Sequence, residues 1–105
     1  MKRYGRIIQI KPEKLARYQS LHAHPWPEVT AAIADCNIRN FSIYRRDGYL
    51  FSYYEYVGDD YARDMARLGE LTKAWLRETD PCQQPVPDAA PGEWWADMEE
   101  LFHQD

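Results

Sequence analysis

The sequence predicts an α+β protein of the ferredoxin-like type, in which helices cover one face of an antiparallel sheet. Three observations lead to this prediction. A strand-like stretch opens the chain, an aromatic hairpin occupies its middle, and segments of helical period follow each of them. The resulting order is one strand, two helices, two strands, two helices and a last strand. A chain of 105 residues is expected to form one domain, residues 1–105.

The N-terminal third carries the first strand and two helices. Residues 3–10, RYGRIIQI, have the residue content of a strand. Pro12 suits the first turn of a helix over residues 12–22, because the N–H that proline lacks has no intrahelical partner there. A second helix is predicted over residues 27–36, where apolar residues recur at helical spacing.

The middle of the chain predicts a β-hairpin. Residues 39–46 and 49–57 are rich in aromatic and β-branched residues, and Asp47-Gly48 between them is typical of a tight turn. Aromatic rings on both faces of the second strand make an uncovered sheet face costly in water. We therefore expect a homodimer whose two sheets pack face to face, as in a dimeric α/β barrel.

The C-terminal part predicts helix, loop and strand in turn. Residues 60–78 have helical periodicity, with an interruption expected near Gly69. Residues 79–92 hold four of the seven prolines and predict an extended loop, of a kind that is usually functional or covers a site. Residues 98–103 are interpreted as the last strand.

Composition argues against several classes of function. Thirteen basic residues against 17 acidic ones give a net charge of -4 without a basic stripe, which argues against nucleic acid as a partner. No apolar run approaches membrane-spanning length and no signal-peptide core is visible, so we expect a soluble cytoplasmic protein without membrane partners. Cys36 and Cys82 have no Cys-x-x-Cys spacing, which favours free thiols and leaves a disulfide open.

The most distinctive stretch is YQSLHAHPWPE, residues 18–28. Its His22 and His24 could bind zinc only together with ligands from elsewhere in the chain. The candidates for such ligands, none at a recognisable spacing, are His103, Cys82 and Asp80. A proline directly after His24 favours a turn, and we therefore expect no metal site.

Tyr18 and His22 are four residues apart on the predicted helix, so their side chains are neighbours on one face. Histidine is the side chain best suited to proton transfer near neutral pH, which points to acid/base chemistry. A structural interpretation also fits: Tyr18 packs in the core, and His22 lies at the helix end where a cation suits the helix dipole. The residues alone favour this structural interpretation.

Five aromatic residues, four of them tryptophans, also allow two interpretations. Aromatic side chains usually belong to a core or a dimer interface, but indole rings near polar groups also pack on the C–H face of a sugar. The residues concerned are Trp26, Phe41, Trp75, Trp94 and Trp95. For most of them the sequence favours the core.

Taken together, these segments resemble the L-rhamnose mutarotase family over nearly the whole chain. The resemblance rests on KPEKLARYQSLHAHPWPEV with its Tyr-x-x-x-His, on IRNFSIY, on the tryptophan at residue 75 and on the closing MEELFH. It implies a dimeric ferredoxin-like protein, in agreement with the predicted order of elements. It also implies an isomerase that interconverts the α and β anomers of L-rhamnose without cofactor or metal.

The resemblance implies roles residue by residue. The family's proton-donating histidine falls on His22 and a substrate-contacting tyrosine falls on Tyr18. A second family tyrosine falls on Phe41, which lacks the hydroxyl, and a Trp-Trp pair falls on Trp75-Leu76. These departures put the identity of the sugar in question more than the reaction. The expected substrate-binding residues are Tyr18, Phe41, Trp75, Leu76 and Trp26. The segment DPCQQPVPDAAPGEWW also differs from well-known members, and we expect it to reshape the pocket, with Trp94 or Trp95 filling space.

Mutarotation opens the pyranose hemiacetal to the aldehyde and recloses it, which needs one proton delivered to the ring oxygen and one removed from the anomeric hydroxyl. We hypothesise that protonated His22 donates to the ring oxygen, that Tyr18 orients or relays a proton, and that Trp75 packs on the sugar. Two alternatives stay open: the same reaction on another sugar such as L-fucose, and a non-catalytic dimeric ligand-binding module, because fold does not fix function. A ferredoxin-like monooxygenase is a third alternative.

Overall fold

The computed structural model describes all of residues 1–105 as an α+β structure with five strands and four α-helices. The elements are β1 (Lys2–Ile10), α1 (Leu15–Ala23), α2 (Pro27–Asp35), β2 (Ile38–Arg46), β3 (Tyr49–Tyr56), α3 (Tyr61–Leu71), α4 (Lys73–Thr79), β4 (Gln83–Gln84) and β5 (Ala96–Met98). Single 3-10 turns, Pro12–Lys14 and Asp80–Cys82, precede α1 and β4. None of the helices combines the length and apolar character needed to cross a membrane. The predicted ferredoxin-like order of elements is confirmed.

The strands form one antiparallel sheet in the order β2-β3-β1-β4, and β5 also pairs with β1. On one side β1 pairs with β3 along nearly its whole length, from Lys2 with Tyr56 to Gln9 with Tyr49. On the other side β4 pairs with the end of β1 and β5 pairs with its middle. The two short strands therefore share the fourth position of the sheet.

The burial pattern of β3 shows which face of the sheet the helices cover. Its residues at even positions, from Leu50 to Tyr56, are buried, whereas those between them are half-buried or exposed. Leu50 packs in a core cluster with Ile8, Ile10, Tyr18 and Cys82. Cys36 is buried elsewhere, and both cysteines are free thiols. The core therefore lies between this face and the helical layer.

The other face of the sheet carries apolar side chains that no helix covers. In the strand register Ile7 lies opposite Phe51, which lies opposite Tyr44, and Gly5 lies opposite both Tyr53 and Met98. Directly paired residues point to the same side of a sheet. We refer to Ile7, Tyr44, Phe51, Tyr53 and Met98 as the open face.

The predicted break in the C-terminal helix lies at a different residue. The helical stretch is interrupted at Thr72 and not at Gly69. The Thr72 hydroxyl donates to the Leu68 carbonyl at 2.7 Å, and such side-chain bonds to the preceding turn compete with regular helix. Thr72 therefore ends α3 and begins α4.

The last strand, β5, lies earlier in the chain than predicted. Of residues 98–103 only Met98 lies in β5, because the register with β1 pairs Ile7 with Ala96 and Gly5 with Met98. Beyond Met98 the chain contacts β1 through a side-chain ion pair, in which Arg3 Nε lies 3.0 Å from Glu100 Oε2. The predicted loop, residues 79–92, is likewise not wholly irregular, since it contains a 3-10 turn and β4.

Candidate functional site

A cavity of 640 Å³ opens between α1, α2 and β2. A second region of 410 Å³, called the inner region below, continues it toward α4 and the C-terminal segment. Tyr18, His22 and Trp75 line both regions. Most of the other lining residues are apolar, and a concave, largely apolar site with a few polar groups is the usual form of a small-molecule pocket. The cavity is large enough for a monosaccharide.

Tyr18 and His22 lie one turn apart on α1, and their rings stack at the cavity wall. The ring centroids are 4.1 Å apart and the planes meet at 28°. Tyr18 is 5% exposed, and burial raises its pKa to about 12. The phenol is therefore neutral at neutral pH and keeps a proton that it can donate.

His22 is held in one tautomer by the backbone of its own helix. Its Nδ1 lies 2.9 Å from the Tyr18 carbonyl oxygen. A carbonyl can only accept, so Nδ1 carries a hydrogen, and Nε2 is unprotonated when the ring is neutral. Burial lowers the pKa of His22, an effect that the bond to Tyr18 partly opposes. Nε2 is thus the ring atom that is free to exchange a proton with a ligand.

Trp75, from α4, forms a third part of the wall. Its ring stands edge-on to His22, with centroids 5.2 Å apart and planes at 68°, and edge-on to Trp26 at 5.2 Å and 76°. Trp26 does not line the cavity, because it packs behind Trp75 against the cluster of Leu21 and Val29. The structure therefore brings Trp75 to the site and gives Trp26 a supporting position.

Phe41 and Leu76 both line the inner region of the cavity. Phe41 reaches it because β2 contains an irregularity: the register shifts between Arg39 and Ser42, and Asn40 has a positive φ of 53°. One extra residue in a strand moves the following side chains to the opposite face. Without this bulge Phe41 would belong to the open face. At 40% exposure its ring presents an apolar edge to the cavity.

The inner region also contains side chains that are not among the expected substrate-binding residues. Arg6, Asp80 and Gln83 line it together with Trp94 and Trp95, which were expected there. Burial raises the pKa of Asp80. Gln83 is in hydrogen-bond contact with Tyr18. The segment DPCQQPVPDAAPGEWW was expected to reshape the pocket, but nothing in the sequence singles out Gln83.

The other two histidines lie away from the cavity. His24 is exposed at the C-terminal cap of α1, and His103 in the tail contacts Asp105 at 2.8 Å. No three His, Cys, Asp or Glu side chains gather in this structure. His22 is thus the only one of the three histidines that lines the cavity.

Comparison with known proteins relates this chain to a protein family. The L-rhamnose mutarotase family model matches residues 3–104. The L-rhamnose mutarotase of Oceanobacillus iheyensis is 29% identical over 107 residues, with 100% of both chains covered. The fold is similar to the crystal structure of L-rhamnose mutarotase from Formosa agariphila, with a TM-score of 0.75 and 21% identity over 100% of both chains.

A second similar fold belongs to a protein of another activity. The tetracenomycin F2 cyclase of Streptomyces glaucescens, a type-II polyketide cyclase, has a TM-score of 0.71 at 13% identity, covering 100% of this chain and 98% of the cyclase. The fold alone therefore does not separate a mutarotase from a cyclase. The match to the family model, over nearly the whole sequence, does separate them. The chain belongs to the L-rhamnose mutarotase family.

Proposed function

We propose that residues 1–105 form a single-domain, cofactor-independent isomerase that interconverts the α and β anomers of L-rhamnose. The observation that carries this proposal is the stacked pair of Tyr18 and His22 in a cavity of monosaccharide size, within a chain of this family. The reaction needs one group that moves a proton and one that stabilises charge on oxygen. The pair supplies both, and general acid/base catalysis of this kind contributes about 10²- to 10⁴-fold.

The proton moves through Nε2 of His22. Because burial lowers the pKa of this ring, His22 begins the cycle neutral near pH 7, and Nε2 accepts the proton of the anomeric hydroxyl. The imidazolium then donates that proton to the ring oxygen as the bond from this oxygen to the anomeric carbon breaks. Reclosure after rotation of the aldehyde reverses both transfers. This order differs from the sequence-based hypothesis, in which His22 begins protonated, but in both the ring oxygen receives its proton from His22.

Tyr18 acts as a hydrogen-bond donor in this scheme. With a pKa of about 12 the phenol stays protonated across the physiological range, so it stabilises the sugar oxygen on which negative charge develops. Trp75 forms the wall against the C–H groups of the sugar, while Phe41 and Leu76 add apolar surface. These apolar walls suit a deoxysugar.

NMR exchange spectroscopy on L-rhamnose tests the proposal. We expect cross-peaks between the α and β anomeric protons to build up faster with the protein than in buffer, and exhaustive chelation of metals to leave this acceleration unchanged. Exchange at the buffer rate in the presence of folded protein would contradict the proposal. Sugar binding without faster exchange would instead support a ligand-binding module.

L-fucose is the second candidate substrate, and Phe41 is the observation that favours it. A family tyrosine is replaced by an apolar ring on the cavity wall, so a hydroxyl that could select one sugar is missing. Exchange rates measured on a panel of sugars at equal concentration decide between the two substrates.

We also propose that the chain is a cytoplasmic homodimer joined through the open face. Tyr44 is 68% exposed and Met98 is 41% exposed on this face, and Leu101 and Phe102 of the adjoining tail are 86% and 78% exposed. Large apolar side chains exposed in this way usually mark an interface. Two buried free thiols suit a reducing compartment.

A further inference from the structure

We propose that Gln83, held by Trp94, is a positioning residue that directs the Tyr18 hydroxyl proton toward the sugar. This inference rests on the proposed function, because it concerns how Tyr18 serves that reaction. Gln83 opens β4, is 4% exposed and lies at the inner end of the cavity. Its side chain links Trp94 to Tyr18 of α1 through two hydrogen bonds.

The direction of these hydrogen bonds follows from what each group can donate. Trp94 Nε1 lies 3.1 Å from Gln83 Oε1, and an indole N–H can only donate. The amide of Gln83 is therefore fixed with its oxygen toward Trp94 and its nitrogen toward Tyr18. That nitrogen, Nε2, lies 3.1 Å from Tyr18 Oη, and an amide nitrogen can only donate. Tyr18 Oη is thus an acceptor in this contact.

Because Oη accepts from Gln83, the hydroxyl proton of Tyr18 must point away from Gln83. No other side chain or carbonyl accepts this proton in the structure, while Tyr18 lines both regions of the cavity. The proton is therefore available to an oxygen of a bound sugar. A polar side chain this deeply buried would be costly without partners, and Gln83 meets that cost by using both ends of its amide.

The residues on either side of Trp94 are held by hydrogen bonds. The Glu93 carboxylate accepts from the Ala90 N–H at 2.9 Å and from the Asp97 N–H at 3.3 Å, which closes the turn before β5. Arg6 donates from Nη2 to the Trp95 carbonyl at 3.0 Å and fixes the following residue to β1. The indole N–H that orients Gln83 thus depends on the central strand of the sheet.

Gln83→Glu is the sharpest test, because the new side chain has the same shape. When ionised, its carboxylate can only accept, so it draws the Tyr18 proton away from the sugar. When protonated, it can accept from Trp94 and donate to Tyr18 as the amide does. The other titratable or charged side chains in the inner region, Tyr18, His22, Arg6 and Asp80, are the same in both proteins. The ratio of variant to wild-type kcat at each pH therefore isolates the new carboxyl.

We expect this ratio to be near one at pH 5 and to fall about tenfold or more by pH 8, as expected for loss of a hydrogen bond to a developing charge. KM should change little, since this bond acts mainly in the transition state. Gln84→Glu is the matched control: Gln84 is exposed, contacts Gln9 and lies outside the cavity. A folded Gln83→Glu variant with the wild-type rate at every pH would overturn the inference.

Gln83→Met separates positioning from a structural role. This variant removes the donor, and we expect a loss of about threefold to tenfold in kcat in the wild-type background. In a Tyr18→Phe background the same substitution should have no further effect on kcat. An equal loss in both backgrounds would show that Gln83 acts through stability or packing, and would contradict the proposal.

A titration of Tyr18 tests the hydrogen bond between Gln83 and Tyr18 without any measurement of activity. With ¹³Cζ-labelled tyrosine, Gln83→Met should raise the pKa of Tyr18 further, because the Gln83 bond lowers it in the wild-type protein. An unchanged Tyr18 pKa would refute the contact. If the wild-type protein failed to accelerate anomer exchange, the proposed function would fall, while the titration would still decide whether Gln83 orients Tyr18.

Discussion

The Nδ1–H of His22 donates to the backbone carbonyl of Tyr18, one helical turn earlier, at 2.9 Å. This bond occupies Nδ1 of the ring and leaves Nε2 free to exchange a proton with a ligand. It depends on the spacing of four residues within α1, which also stacks the two rings at 4.1 Å. In the proposed mechanism the two residues therefore have distinct roles, with proton exchange at Nε2 of His22 and hydrogen-bond donation from Tyr18.

The activity should fall as the pH is lowered through the pKa of His22. Burial lowers that pKa from the usual 6.5, and the neutral ring is the form that accepts the anomeric proton. The rate should therefore hold from neutral pH down to below 6.5 and then decline, as Nε2 becomes protonated. Anomer-exchange rates from pH 4.5 to 8, corrected for the buffer reaction, measure this profile. A rate that rises on acidification through this range would favour protonated His22 as the starting form.

Tyr18→Phe should lower kcat by about tenfold, because the sugar oxygen loses one hydrogen bond to a developing charge. It should also lower the free energy of unfolding by about 1 kcal/mol, since the buried Gln83 amide loses its acceptor. Exchange NMR and urea denaturation measure the two effects. An activity equal to that of the wild type would remove Tyr18 from the mechanism.

Trp26→Phe and Trp75→Phe should act on different quantities. Trp26 packs behind Trp75 and outside the cavity, so Trp26→Phe should lower the free energy of unfolding by about 1 kcal/mol and leave KM within about twofold. Trp75→Phe should raise KM, because Trp75 forms the cavity wall. A KM raised equally by both substitutions would place Trp26 in contact with the substrate.

Phe41→Tyr should change sugar preference with little change in stability. Phe41 is 40% exposed at the cavity, so there is room for a hydroxyl, which would add a hydrogen-bonding group to the wall. We expect kcat/KM for L-rhamnose relative to L-fucose to rise by about threefold to tenfold. Phe102→Tyr, in the exposed tail, is the control. An unchanged ratio would show that residue 41 does not contribute to selectivity.

Tyr44→Lys should dissociate the proposed dimer. It places a charge on the edge strand of the open face, at its most exposed ring, whereas the control Leu71→Lys places one on an exposed apolar position at the end of α3. Sedimentation equilibrium should give twice the chain mass of 12.5 kDa for the wild type and the control, and the single mass for Tyr44→Lys. A wild-type protein that sediments as a monomer would refute the dimer.

The sequence predicted the fold well where a local pattern determines it. The spacing of apolar residues, the positions of the prolines and the Asp47-Gly48 turn are local features, lying within an element or at its ends. They predicted strands and helices close to those observed. Residues 98–103 were misplaced because the limits of β5 depend on which part of β1 is free beside β4. Pairing between distant segments is not recorded in a local pattern.

The site shows the same division between local and distant information. The spacing of Tyr18 and His22 makes them neighbours on one helix, but only the family resemblance assigns them to a site. The structure brings Phe41, Trp75 and Leu76 to the same cavity. Trp26 was expected among the substrate-binding residues, because no sequence feature distinguishes a tryptophan that lines the cavity from one that packs behind the lining residues. Gln83 was missed because its role depends on contacts with Tyr18, 65 residues away, and with Trp94.

The most direct test of this account is the rate of L-rhamnose anomer exchange in His22→Ala, with His24→Ala as the matched control. His24 is exposed at the end of the same helix and lies outside the cavity. We predict exchange at the buffer rate for folded His22→Ala and wild-type acceleration for His24→Ala. Wild-type acceleration in His22→Ala would contradict the claim that this histidine moves the proton.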